Sequence, residues 1–404
     1  MVVIRHPDDI EILFSSQSAI TKGFFYDFLH PWLQSGLLTS TGSLWHQRRK
    51  LLTPAFHFSI LKKYMEITSD EVTKTIRFLN AEGKESIQSL IPFSSEYTLN
   101  VVCESAMGVS LRSMNQESVE EYKKAIHDQG NIVLYRMPRP YLTDWILPLV
   151  YKVGNLQKKV LKILHGFTAE VIRGRRDYHE RTNFKYLEGL VEDNDDKEYD
   201  IGLEIFDITA ISFAGRKKRL CMLDLLLEAE RDGMIDSKGI QEEVDTFTFE
   251  GHDTTGMALA FTLLLLAENQ NEQELARREA IEVLDKNNGS LNLTILQELK
   301  YIERCIKESL RLYPPVATMM RQTSTDLKLK NALVPANTHV MIRLFDTHRD
   351  PNFWPEPDKF NPDRFLPESM KDRHPFAYVP FSAGPRNCIG TTVNFIHDFD
   401  MKIR

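Results

Sequence analysis

Cysteine is scarce in this chain: four in 404 residues, Cys103, Cys221, Cys305 and Cys388, far apart and without a C-x-x-C pair. A disulfide framework or a zinc site needs closer or regular spacing, so neither is suggested, and a reducing, intracellular setting is the simpler reading. A basic excess is also missing. The formal net charge of −7 gives no global reason to expect a nucleic-acid partner. Long apolar runs are absent too: MALAFTLLLLA (257–267), flanked by Asp253 and Glu268, has about half the length of a bilayer-spanning helix and reads as a buried one. The N-terminus meets charge at Arg5, too early for a signal peptide or a span. No G-x-G-x-x-G dinucleotide fingerprint and no internal repeat occurs.

What is present is ample core material, with 42% hydrophobic and 10% aromatic residues, which excludes a disordered or fibrous chain. Helical periodicity dominates and predicts helices over 59–80, 93–107, 115–129, 155–190, 239–270, 271–286 and 296–312. Strand-like pieces are few: MVVIR at the start, TDLKL (325–329) and HVMIRL (339–344). The NALVPANT between the last two has the composition of a hairpin turn. The acidic stretch VEDNDDKEYDIG (191–202) opens a segment, 191–215, that reads as a loop or insertion. From 345 to 390 the chain turns loop-rich, with eight prolines, and its aromatic content argues for a packed, functional segment.

Four stretches could carry chemistry. In FSAGPRNCIG (381–390), Gly384 and Gly390 permit tight turns that aim amide groups at the Cys388 sulfur. Arg386 can bind an anion there, although a lone cysteine in a turn is more often structural than ligating. In FEGHDTTG (249–256), Gly251 and two threonines resist helix where the flanks favour it. The stretch is either a site where a ligand approaches the backbone or the helix bulges, or a buried polar network. Asp253 and Thr254 would form a proton-delivery pair, with Glu250 one turn from Thr254. Glu308 and Arg311 in KESLRLYPP have the i, i+3 spacing of an ordinary surface pair. Trp45 and Arg49, four apart in GSLWHQRRKLL, suit either a stacked surface pair or an anion clamp.

Taken together and in this order, these stretches resemble the haem-thiolate monooxygenases, the cytochromes P-450, over nearly the whole chain. The haem loop F-x-x-G-x-R-x-C-x-G is met by Phe381, Gly384, Arg386, Cys388 and Gly390. The resemblance implies haem b with Cys388 as the thiolate ligand of iron, the chain's metal site. It implies Arg386, Trp45, Arg49 and Arg321 at the haem propionates, and Glu250 at the glutamate that can esterify a haem methyl. Asp253 and Thr254 become the acid–alcohol pair that relays protons to dioxygen. Glu308 and Arg311 become the E-x-x-R pair, joined by Arg364 of NPDRF in a buried triad.

The flanking text is similar to family 4, most closely to its insect members. The implied fold is mainly α with a small β portion, one haem-thiolate domain over 1–404 that starts inside the catalytic domain without an anchor and stops short of the C-terminal β elements. The implied reaction inserts one oxygen atom of O2 into an apolar C–H bond of a fatty acid, hydrocarbon, terpenoid hormone or xenobiotic. Its electrons come from NADPH through a cytochrome P-450 reductase, with cytochrome b5 as a second donor, at the cytosolic face of the endoplasmic reticulum membrane. Arg48 and Lys50 are then either a basic face for an acidic partner or merely solvated. A second reading is a truncated, non-catalytic product that binds haem weakly or not at all. The tail 391–404 offers Val393, Ile396 and Phe399 at helical spacing, but fourteen residues are marginal for a helix without packing support.

Overall fold

A computed structural model of the chain describes residues 1–82, 89–183, 221–289 and 292–390. The segment 191–215 and the tail 391–404 lie outside the described residues. Among the described residues the protein is mainly helical with a small β portion, as the periodicity predicts. The helices of nine residues or more are α1 (Pro7–Ser15), α2 (Gly42–Leu52), α3 (Phe58–Glu82), α4 (Leu90–Ser105), α5 (Gln116–Arg136), α6 (Tyr151–Arg181), α7 (Met222–Arg231), α8 (Ser237–Glu268), α9 (Gln270–Lys286) and α10 (Lys300–Leu312). None is long and apolar enough to cross a membrane.

Helix α8 is the axis of the fold. Asp236 caps it by accepting from the Gly239 N–H at 2.7 Å, which satisfies one of the free amides of the first turn. The helix then runs unbroken through FEGHDTTG, so the expected bulge is not there. Gly251 is explained by packing. A Cβ at this position would stand 2.6 Å from Val102 Cγ2, and one at Gly256 would stand 3.1 Å from Ser95 Cα, both on α4. These two glycines let α4 and α8 approach closely, and Thr98 of α4 donates its hydroxyl to the His252 carbonyl at 2.8 Å.

One apolar cluster joins α2, α4, α5, α6 and α7 to the first half of α8; a second joins α3, the end of α8, α9 and α10. A third packs α1 on the main sheet. That sheet has the order β1-β6-β3-β2, with β1 (Val2–Ile4) parallel to β6 (His339–Ile342) and β6, β3 (Met319–Gln322) and β2 (Thr21–Lys22) antiparallel. The expected hairpin between TDLKL and HVMIRL is corrected. Residues Leu327–Lys328 (β4) pair instead with Leu333–Val334 (β5), inside the supposed turn, while His339–Ile342 enters the main sheet. Leu333 and Val334 supply a short strand of their own, and Asn337, at φ +58°, makes the turn that follows.

Candidate functional site

The site is built around the loop 381–390. Ser382 and Gly384 have φ of +61° and +70°. At Gly384 a Cβ would collide with the Phe14 carbonyl of α1, so only glycine fits. Gly390 needs no such conformation, and Ser382 makes the second left-handed turn that the sequence pattern assigned to it. The Cys388 N–H donates to the Phe381 carbonyl at 2.9 Å and closes the loop. Cys388 is half-buried, unlike the three buried cysteines.

Helix α2 grips the two residues before Cys388. Arg49 donates to Asn387 twice, Nη1 to the carbonyl and Nη2 to Oδ1, each at 2.9 Å. One turn earlier on the same face, the buried Trp45 ring receives the Arg386 guanidinium at 4.9 Å from its centroid. Arg386 also donates to the carbonyls of Ile20, Leu37, Leu38 and Ser40 at 2.8 to 3.1 Å. Burial pushes the Arg49 guanidinium below its ordinary value, and the pull of Cys388 and Glu250 counters this only in part. A single side chain thus bonds the thiol loop and lies in the field of Glu250 on the central helix.

Arg321 enters from β3 and is buried. Its register partner across the ladder is Lys22 of β2, a residue the sequence reading did not single out. Lys22, Arg386 and Arg49 all act on one carboxylate, Glu250, and Arg321 stands close enough to repel Lys22 and Arg386. Burial, then repulsion from Arg321, pushes Arg386 down to about 9. Burial pushes Glu250 up to about 7 against the pull of Lys22, Arg386 and Arg49. The cluster carries more positive charge than the protein neutralises, which suits an anionic ligand with more than one acidic group.

On α8, the Thr254 hydroxyl donates to the Glu250 carbonyl at 2.8 Å, the common back-bond of a helical threonine. Asp253 is half-buried; burial, then Cys103, Asp245 and Asp253, push the buried Tyr122 phenol of α5 up. Among the described residues no hydrogen bond joins Asp253 to Thr254.

Glu308 and Arg311 are both fully buried, so spacing alone misread them as a surface pair. Arg311 Nε donates to Glu308 Oε2 at 2.6 Å and Nη2 to Oε1 at 2.8 Å. Arg364 Nε adds a third bond to Oε1 at 3.2 Å. Further guanidinium hydrogens go to the carbonyls of His348, Pro357 and Lys359 from Arg311, and of Pro355, Glu356 and Lys359 from Arg364. The three side chains therefore pin the loop 348–361 to α10.

Arg48 corrects another expectation. It is buried and pairs with Glu242 at 3.2 Å and Glu243 at 3.1 Å on α8, so it is no part of a basic surface, whereas Lys50 is exposed. Nothing in the string HQRRK distinguishes these neighbours; the helix phase does.

The sequence profile described as Cytochrome P450 matches residues 1–394. Cytochrome P450 4c3 of Drosophila melanogaster is 40% identical over 392 residues, covering 96% of this chain and 70% of that protein. Probable cytochrome P450 4p3 of the same organism is 39% identical over 390 residues, 95% of this chain and 71% of that protein. Cytochrome P450 4V2 of Homo sapiens is 36% identical over 392 residues, 96% of this chain and 71% of that protein. With a mainly-α fold, a cysteine loop clasped by α2 and family-4 relatives that cover nearly all of it, the chain belongs to the cytochrome P450 family of haem-thiolate monooxygenases.

Proposed function

We propose that this monooxygenase acts on a small apolar substrate, a fatty acid, hydrocarbon, terpenoid hormone or xenobiotic, with Cys388 as its iron ligand. The observation that carries the reading is the reach of Arg49, which clamps Asn387 beside Cys388 and feels Glu250 on α8. Haem held there would supply the chemistry that inserts one oxygen atom of O2 into an apolar C–H bond and releases the other as water. The Cys388 sulfur donates electron density to the iron, and the nearby Arg49 cation favours the thiolate. Arg386, Arg321 and Arg49 hold the two propionates, and Trp45 orients Arg386 through its ring face. Asp253 and the Thr254 hydroxyl move protons towards the reacting oxygen, for which Thr254 must give up its back-bond to Glu250. Glu250 is the carboxylate that would be available for an ester to a haem methyl.

Electrons come from NADPH through a separate reductase, with cytochrome b5 as a second donor. We place the enzyme at the endoplasmic reticulum membrane. Supporting this are exposed apolar side chains at the end of α5 and in the link to α6, Leu134, Tyr141, Trp145 and Leu149, the last two 74% and 77% exposed, of the kind that suits a lipid interface.

The test is the carbon monoxide difference spectrum of the reduced protein. The wild type is expected to give a thiolate-type Soret band that Cys388→Ala abolishes. A band that survives the substitution would sink the ligand assignment. Product analysis with fatty acids and terpenoids then separates the substrate classes.

A further inference from the structure

The two residues before the thiol are gripped from different elements. Arg386 donates to the carbonyls of Leu37, Leu38 and Ser40, whereas Asn387 accepts from Arg49 of α2. Because the grips fall on neighbouring residues, a shift of one anchor against the other tilts the backbone that leads into Cys388. Whatever fixes the two anchors to each other therefore orients the thiol.

Glu243, in the second turn of α8, bonds to both. Its Oε2 accepts from the Leu37 N–H at 3.0 Å, and the carbonyl of that same residue accepts from Arg386 at 3.1 Å. Its Oε1 accepts from Arg48 Nη1 at 3.1 Å, and the next residue along α2 is Arg49. The carboxyl is fully buried, so water does not compete for either bond. Both anchors also sit tightly on α8. A Cβ at Gly36 would collide with Thr246 Oγ1, and one at Gly239 with Arg48 Nη2. The Ser40 N–H closes the turn on the Gly36 carbonyl at 2.9 Å, and Arg48 Nη1 donates to the Gly239 carbonyl at 2.9 Å. Glu242 takes the other arm of the guanidinium at 3.2 Å, and among the described residues its side chain makes no bond to residues 37–40.

We propose that Glu243 is a positioning residue for the iron ligand: one carboxyl sets the spacing of residues 37–40 and α2, and through them the backbone from Arg386 to Cys388. The consequence for the ligand rests on the haem reading above. The coupling itself is a property of the protein alone.

Two measurements test it. In the carbon monoxide difference spectrum of the reduced full chain, Glu243→Ala is expected to move the ratio of thiolate-type to thiol-type Soret band roughly tenfold towards the thiol form, the weight of one lost buried bond. Glu243→Leu, which fills the space, should do the same. In the full chain without haem, hydrogen exchange over 381–390 should quicken by roughly the same factor in both variants. Glu243→Gln, which keeps an acceptor for the Leu37 N–H, should stay near wild type in both measurements. Glu242→Gln, which weakens the other arm of Arg48 but leaves the Leu37 N–H held, should melt lower and keep the wild-type ratio. The inference is overturned if the Glu243 variants melt lower but keep the ratio, if Glu242→Gln shifts the ratio as far, or if exchange over 381–390 is unchanged. A wild type without a thiolate-type band would overturn the haem reading instead, and exchange in the haem-free chain would still decide whether Glu243 holds the loop.

Discussion

Arg311 grips both oxygens of Glu308 across one turn of α10, at 2.6 and 2.8 Å, with neither side chain exposed to solvent. Two charges held this far from water are stable only while every partner is present. Glu308→Ala would strand Arg311 and Arg364 together and release the Asn361 N–H, which donates to Glu308 Oε1 at 2.9 Å. A loss of about 3–5 kcal/mol is expected, read by denaturant unfolding, with Glu308→Gln costing less.

The Glu243 carboxyl makes stability depend on pH. Burial pushes it up to about 8, against the pull of Arg48. The folded state therefore keeps a proton that the unfolded chain releases from the ordinary value of 4.5 upwards. This contribution is greatest at low pH and fades as pH rises through about 8. Melting temperature should fall over that window, and Glu243→Gln, which keeps an acceptor for the Leu37 N–H, should flatten the slope.

Gly251→Ala tests the crossing of α4 and α8. Helix propensity alone would reward alanine by about 1 kcal/mol. The new methyl would stand 2.6 Å from Val102 Cγ2, and overpacking typically costs about 1–3 kcal/mol. A net loss of stability is expected, recovered in part by adding Val102→Ala. A more stable single variant would show that the two helices can move apart freely.

Thr254→Val removes the proposed proton donor but keeps the shape and apolar contacts of the side chain. Electron consumption should continue while product formation falls, by about 10²-fold or more if general acid catalysis is lost, and peroxide rises. Unchanged coupling would remove Thr254 from the mechanism.

Binding to phospholipid vesicles should depend on the exposed apolar side chains at the end of α5 and in the link to α6. Trp145→Ser and Leu149→Ser together are expected to shift the protein to the supernatant in sedimentation, with its Soret spectrum intact. Equal sedimentation would show that these side chains do not carry the membrane contact.

The long helices were legible because apolar residues recur with a period that only one secondary structure satisfies, as in α8 and α10. The cysteine loop was legible because its spacing of Phe381, Gly384, Arg386, Cys388 and Gly390 is specific, and Gly384, at φ +70° against the Phe14 carbonyl, leaves no alternative to glycine there. The short strands were not. Thr21–Lys22 and Met319–Gln322 have no periodicity of their own and exist only because a partner lies beside them.

Sequence by itself determined which side chains the site can use: one thiol in a glycine turn, an acid and a hydroxyl on the central helix, and arginines spread over the chain. Tertiary structure decided which charges are shared. The helix phase buried Arg48 on Glu242 and Glu243 while it turned Arg49 to the thiol loop, and strand register set Lys22 against Arg321 from 299 positions away in the chain. Periodicity is a property of neighbours along the chain and can be read there. Charge pairing depends on distance and burial in space, which come into being only when the elements pack.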